Sequence, residues 1–279
     1  MHRMNQGNIQ AYTAYLEEQE RSSATIEKYQ RALDRFYHWT SEGSNIDKAS
    51  VIQYKEQLTQ SFAPAGVNAT LAALNGFFRF LGWTDCVVKP LHIQRRVFST
   101  ADKELSKEEY RRLVYAARQK KDTRMVLLLQ LMASTGIRVS EVRYVTAEAI
   151  KEKTIQIQLK GKFRTILLPD QLCCLLEKYR KEQKISSGAL FLTRTGRTMD
   201  RKEIWAQMKR LCRAAQVPES KVFPHNLRHL FARSFYSEQK DIAKLADLLG
   251  HSSIETTRIY LLSSGQEHRQ LLDRLCLIC

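Results

Sequence analysis

The chain has 279 residues and is 43% hydrophobic, enough for two ordinary domains with packed cores and too apolar for general disorder. It holds no run of about 18 apolar residues and its first ten residues are polar, so neither a membrane span nor secretion is expected. The net charge of +16 is lopsided: residues 1–98 carry 11 Lys+Arg against 9 Asp+Glu, and residues 99–279 carry 34 against 20. A basic half of that kind suits a polyanion, of which nucleic acid is the commonest inside a cell.

In the first ninety residues the apolar positions repeat at helical spacing. Ile26, Tyr29, Leu33, Phe36 and Tyr37 form one stripe, and Val51, Tyr54 and Leu58 a second. Pro64 fits the first turn of a further helix, where its missing N–H costs little. Val67, Leu71, Leu74, Phe77, Phe78 and Leu81 line that helix, and Gly82 falls just past its end. Four or five such helices with short loops make a small bundle over residues 1–88. Residues 89–104, with Lys89-Pro90, Arg95-Arg96 and the run Ser99 to Lys103, read as a linker.

The remainder, 105–279, is predicted to be mostly helical with a small sheet, so the fold class is mainly α, or α+β. Ser106 and Glu109 have capping-box spacing ahead of Tyr110, Leu113, Val114 and Ala117. The run from Met125 to Met132 is apolar nearly all round, which places it centrally, and Gly136 ends it. Thr154 to Leu159 alternates, Lys160-Gly161-Lys162 turns, and Phe163 to Leu168 returns: a β-hairpin. Helices resume at about 170–183 and 200–214, the second with Asp200 and Glu203 placed for capping. Ala189 to Leu192 followed by Thr193–Thr198 reads as one more strand and turn. Pro224 precedes a helix with Leu227, Leu230, Phe231 and Phe235 inward. Gly250 stops the next helix, which carries Ile242, Leu245 and Leu249, and Ser252 with Glu255 opens another.

Six cysteines occur without the Cys and His spacing of a zinc site, so no metal is expected. Cys276 and Cys279 have C-x-x-C spacing, but the βαβ context of a redox motif is missing around them, and reduced cytosolic thiols are the plainer reading.

The chemistry lies in scattered charged and ring side chains. Cutting a phosphodiester without a metal needs fixed cations for the equatorial oxygens, a nucleophile, and a proton for the leaving oxygen. Arginine suits the first task, since its planar fork bonds two oxygens and keeps its proton. Arg138 stands at a helix corner after Gly136. His225 and Arg228, three apart, share the face of a helix N-terminus, where backbone N–H groups also favour anions. His251 follows Gly250, and Tyr260 falls two turns further on. Lys160 and Lys162 on the hairpin turn can each reach outward to a groove or a leaving oxygen. These are the parts for DNA strand cleavage and rejoining through a tyrosyl ester.

Together the stretches TGIRVSEV (135–142), KGKFRTILLP (160–169), HNLRHLFA (225–232) and LGHSSIETTRIY (249–260) resemble the tyrosine recombinase, or phage integrase, family in order and spacing. The helical stretches TIEKYQRALDRF and NGFFRFLG resemble its SAM-like core-binding domain. The resemblance implies a site-specific DNA recombinase in which Tyr260 attacks the scissile phosphate to give a 3′-phosphotyrosyl link and a free 5′-hydroxyl. Arg138 and Arg228 would clamp the non-bridging oxygens, Lys160 would protonate the leaving oxygen, and His225 and His251 would bond the phosphate and assist proton transfer. Glu141 would support the site from below. No cofactor, metal or ATP is implied, because the ester conserves the energy of the broken bond. The implied partners are double-stranded DNA, a homo-tetramer on paired sites working through a Holliday junction, and accessory DNA-bending or partner recombinase proteins, in a cytoplasmic, nucleoid-associated setting. The two domains would close as a C-shaped clamp on duplex DNA.

The hairpin turn is a residue shorter than the commonest family pattern, which leaves Lys160 and Lys162 both open. The chain is expected to lack the arm-site-binding domain of larger phage integrases and is more similar to compact Xer-type or transposon-like members, and the tail bearing Leu271, Leu272, Leu275 and Leu277 is expected to dock on a neighbouring protomer. Two other readings use the same residues: a type IB topoisomerase-like enzyme relaxing DNA as a monomer, and a non-catalytic DNA-binding regulator of the same fold.

Overall fold

The computed structural model describes residues 2–40, 45–93, 103–159, 162–251, 253–261 and 273–274. The expectations placed on Arg95, Arg96, residues 99–102, Lys160, Gly161, Ser252, the tail leucines, Cys276 and Cys279 lie outside the described residues, as do the side chains of Leu159 and Lys162. The chain divides into two compact units, residues 1–95 and 96–279.

In the first unit three helices start where the sequence supplies a side-chain partner for their free N–H groups, and the fourth starts on a proline. Asn5 and Asn8 form a reciprocal capping box ahead of α1 (Gln6–Glu18). Ser22 caps α2 (Ser23–Trp39) and Asp47 caps α3 (Lys48–Ser61). Pro64 is the first residue of α4 (Pro64–Phe80), and Gly82 beyond it has a φ of +76°. Leu33, Phe36, Val51, Tyr54, Val67, Leu71, Leu74, Phe77 and Phe78 pack into one core. A pair of two-residue strands, β1 (His2–Arg3) and β2 (Asn45–Ile46), was not foreseen. The chain leaving this unit is tied down by two amides. Buried Asn75 donates to Val88 O at 2.8 Å and accepts from Val88 N at 3.1 Å, and Asn68 makes the same pair of bonds with Leu91 at 2.9 and 2.7 Å.

In the second unit the Ser106–Glu109 capping box opens α5 (Lys107–Gln119), and Lys221 braces Glu109 at 2.9 Å. Asp122 caps α6 (Thr123–Thr135), which buries Met125, Leu127, Leu128, Leu129, Leu131 and Met132 and is the central helix. A 3-10 turn (Val139–Tyr144), α7 (Ala147–Glu152) and the antiparallel hairpin β3 (Thr154–Leu159) and β4 (Lys162–Leu167) follow. The register sets Ile155 against Ile166 and Ile157 against Arg164. Lys162 therefore belongs to the strand rather than the turn. After α8 (Asp170–Glu182) the expected strand over 189–192 is replaced by isolated bridges, Ala189 to Thr146 and Leu192 to Thr198. Four apolar residues with no continuous partner make bridges and not a ladder. The helix expected over 200–214 divides into α9 (Arg201–Lys209) and α10 (Cys212–Ala215), where Leu211 N–H reaches back only three residues to Met208. Then come α11 (Pro224–Gln239), α12 (Ile242–Leu249), α13 (Ile254–Arg258) and a last 3-10 turn (Ile259–Leu261). Ser253 occupies the N-cap position of α13. Among the described residues no helix is long and apolar enough to cross a membrane.

Gly136 fixes the turn from which the site is built. Its φ is +61°, and a Cβ there would lie 2.5 Å from Phe231 Cδ1 and 2.9 Å from Leu249 Cδ2. The left-handed backbone and the clash act together, so Gly136→Ala is expected to destabilise the second unit by about 2–4 kcal/mol. Denaturant unfolding checks this, and a loss under about 0.5 kcal/mol would contradict it.

Candidate active site

Three segments converge around Arg228. The first turn of α11 carries His225 and Arg228, the corner after α6 carries Arg138, and the chain from Gly250 onward carries His251 and Tyr260. Arg228 is 2% exposed although charged. Its fork donates to Gly136 O, to Leu249 O at 2.7 Å and to His251 Nε2 at 2.8 Å. Those two carbonyls end α6 and α12, so Arg228 closes both helix termini while remaining in the site. Burial, and next the charge of Arg138, holds its pKa below the usual arginine value.

His251 is fixed from both sides. Because Nε2 accepts from Arg228, the proton sits on Nδ1 and is donated to the hydroxyl of buried Thr257 at 2.8 Å. Its pKa is pushed down to about 4 by burial first, then by Arg228 and Arg138. Its ring stacks on Tyr260 with centroids 5.6 Å apart. Tyr260 is 6% exposed and also meets His225 at 5.4 Å and His229 at 4.3 Å. The pKa of His225 is lowered by burial and then by Arg228 and Arg138.

Arg138 is the open member of the set, with 40% of its side chain exposed. Its backbone N–H donates to Glu141 Oε2 at 2.8 Å and its Nη1 to Oε1 at 2.9 Å. The carboxylate of Glu141 is buried beneath, as support from below requires. A cavity of about 440 Å³ opens beside His225 between Val139, Trp205, Phe223 and Pro224, with Arg201 and Lys202 at its wall.

Of the six residues singled out by sequence, five are thus gathered at one place, and Lys160 lies outside the described residues. Two neighbours were missed. Arg164 of β4 donates from Nη1 to both oxygens of Glu141, at 2.7 and 2.8 Å. Burial, outweighing the Glu141 charge, pushes its pKa down to about 10. Its signal was its place in the strand alternation, on the same side as buried Ile166. His229, one residue past Arg228, is buried against Tyr260 and His225, and burial followed by the charge of His225 pushes its pKa down to about 4.

A helical unit followed by a second unit with a buried arginine, a ring of histidines and a tyrosine at one corner defines a class. Residues 103–267 match the phage integrase family profile, and residues 9–85 match the phage integrase N-terminal SAM-like domain. The chain belongs to the phage integrase family. It is 29% identical to the tyrosine recombinase XerA of Thermococcus kodakarensis, over 96% of each chain, and 28% identical to the tyrosine recombinase XerD of Xanthomonas axonopodis, over 88% of this chain and 89% of that one. Among solved structures, the Tn1549 transposon integrase in complex with transposon right end DNA aligns with a TM-score of 0.73 at 16% identity, covering 96% of this chain and 99% of that one. The XerH recombinase in a post-cleavage complex with palindromic difH substrate aligns at 0.72 and 21%, covering 93% and 84%. A lambda integrase tetramer bound to a Holliday junction aligns at 0.72 and 17%, covering 91% and 76%. The fold is that of the tyrosine recombinases, and by class the protein is a site-specific recombinase, an enzyme.

Proposed function

We propose that this enzyme cuts and rejoins double-stranded DNA through a covalent tyrosine intermediate, with Tyr260 as nucleophile. The observation that carries the reading is the placement of the Tyr260 ring against His251 and His225, with His251 Nε2 bonded to Arg228 at 2.8 Å. The Tyr260 oxygen attacks phosphorus and passes its proton to a neighbouring imidazole as the P–O5′ bond breaks. The product is a 3′-phosphotyrosyl ester, and the 5′ oxygen leaves as a hydroxyl after accepting a proton from Lys160. Arg138 and Arg228 hold the non-bridging oxygens, where charge is spread in the transition state. His225 and His251 hydrogen-bond the phosphate and assist the proton transfers. Attack of a second strand's 5′-hydroxyl on the ester reverses the chemistry without ATP, metal or cofactor.

With Tyr260 so little exposed, DNA reaches the nucleophile only after the turn at Ile259–Leu261 shifts. The exchange proceeds in a homo-tetramer on two sites through a Holliday junction, with accessory DNA-bending or partner recombinase proteins setting direction, in a cytoplasmic, nucleoid-associated setting. The basic wall formed by Arg201 and Lys202 meets the backbone of the duplex.

The test uses a duplex selected by binding from a randomised pool and then nicked close to the cut, so that the leaving strand diffuses away. The native chain is expected to accumulate covalent DNA. Tyr260→Phe is expected to bind the duplex with unchanged affinity and trap none. Covalent product from Tyr260→Phe would assign the nucleophile elsewhere.

A further inference from the structure

Arg164 is 10% exposed, so its guanidinium does not present itself to a substrate. Its Nη1 is committed to both Glu141 oxygens, and its Nη2 donates to Leu248 O at 3.4 Å. Gly250 is what lets it pass: a Cβ there would lie 2.5 Å from Arg164 Cδ and 2.6 Å from Nε. Arg138 is held by the same carboxylate, and its Nη2 makes only a long bond of 3.4 Å to Gly250 O. One buried anion therefore serves two guanidiniums, one buried and one open to solvent. In a site that excludes water, an anion with a single cation partner draws that cation inward and cancels its charge.

We propose that Arg164 is a positioning residue for strand cleavage: by taking up the charge of Glu141, it leaves the Arg138 guanidinium free to turn its outer edge to the scissile phosphate. This rests on the reading that Arg138 clamps that phosphate. Arg164 itself touches neither the phosphate nor the nucleophile. Its effect passes through Glu141, so it should depend on the Glu141 charge.

The experiment measures single-turnover covalent trapping on the nicked duplex, with duplex affinity and thermal melting recorded for each variant. Arg164→Met is expected to slow trapping about 100-fold, the order of loss for a misplaced clamp, while duplex affinity changes less than about threefold because basic contacts elsewhere persist. Adding Glu141→Gln removes the anion that needed a partner, and its amide oxygen still accepts one bond from Arg138. The double variant is therefore expected to trap at least about tenfold faster than Arg164→Met alone, a coupling of ordinary size for side chains in contact. Arg164→Lys keeps the charge without the fork and is expected to lose only about tenfold. It carries the test if Arg164→Met does not fold.

A merely structural role predicts the opposite order, since the double variant would melt lower and trap no faster. Trapping by Arg164→Met at the native rate, or no gain on adding Glu141→Gln, overturns the proposal while leaving Tyr260 chemistry intact. Failure of the native chain to trap DNA through Tyr260 overturns the functional reading, and this proposal with it.

Discussion

Arg228→Lys is expected to slow covalent trapping by about 100- to 1000-fold, the usual cost of removing one preorganised donor from a transition-state site. It is also expected to destabilise the second unit by about 2–4 kcal/mol. The two losses share one cause. The guanidinium spans Gly136 O, Leu249 O and His251 Nε2, three acceptors on different segments that a single ammonium cannot satisfy together. Two buried helix-end carbonyls then lose their partner, and Nε2 of His251 loses the donor that fixes its tautomer.

Arg138→Lys supplies the contrast. Its side chain is 40% exposed, against 2% for Arg228, and Arg164 still holds Glu141 when Arg138 is altered. Cleavage should fall by the same order, but stability by no more than about 1 kcal/mol. Trapping kinetics and denaturant melts on the two variants separate the roles. Native cleavage by Arg228→Lys, or an Arg138→Lys chain less stable than the Arg228→Lys chain, would mean the roles had been assigned wrongly.

The contrast between these arginines also marks what the sequence could convey. Helices announced themselves by apolar period and by caps: the Ser106–Glu109 and Asp200–Glu203 boxes form as their spacing predicts, and Gly136 and Gly250 end helices at left-handed φ. Arg138, His225, Arg228, His251 and Tyr260 were legible because each sits beside such a signal. Arg164 was not, because the hairpin inverts the usual pattern. Apolar Phe163 and Leu167 face solvent at 78% and 60% exposure, while the charged residue between them turns inward. Alternation alone marks two faces without saying which is buried. His229 was missed because its main partner, Tyr260, comes from a segment distant in sequence. The β1–β2 pair offers only two residues on each strand, too few for any period to show. The strand expected at 189–192 failed for the converse reason: apolar composition was present, but its partner changes from the Val145–Ala147 stretch to the Thr198–Met199 stretch within four residues, so no ladder builds up.

The histidines give the site a pH dependence with a definite sign. His229 and His251 titrate at about 4 in the folded chain, against about 6.5 for an unperturbed imidazole. For both, burial is the main cause. The charges of His225, Arg233 and Arg228 add to it at His229, and those of Arg228, Arg138, Arg164 and His225 at His251. Because the folded values lie below the unfolded ones, the unfolded chain binds more protons between about pH 6.5 and pH 4. Stability from the neutral rings is complete above about pH 6.5 and is lost as pH falls towards 4. Each ring adds a slope of at most about 1.4 kcal/mol per pH unit, less for His251, which is partly exposed to solvent. His229 should show the effect most clearly, since its Nδ1 is buried with no hydrogen-bond partner among the described residues and a proton placed there would be an unpaired buried charge. Unfolding free energies measured between about pH 6.5 and 5, above the usual carboxylate range, read this slope directly. His229→Gln is expected to remove about one proton's worth of it. Covalent trapping by the folded chain should persist through that interval and fail only as the pH nears about 4, where a charged His229 or His251 repels Arg228 and breaks open the ring nest around Tyr260. Parallel stability curves for the native chain and His229→Gln would show that His229 is not held neutral by burial, and the acid loss of cleavage would then need another group.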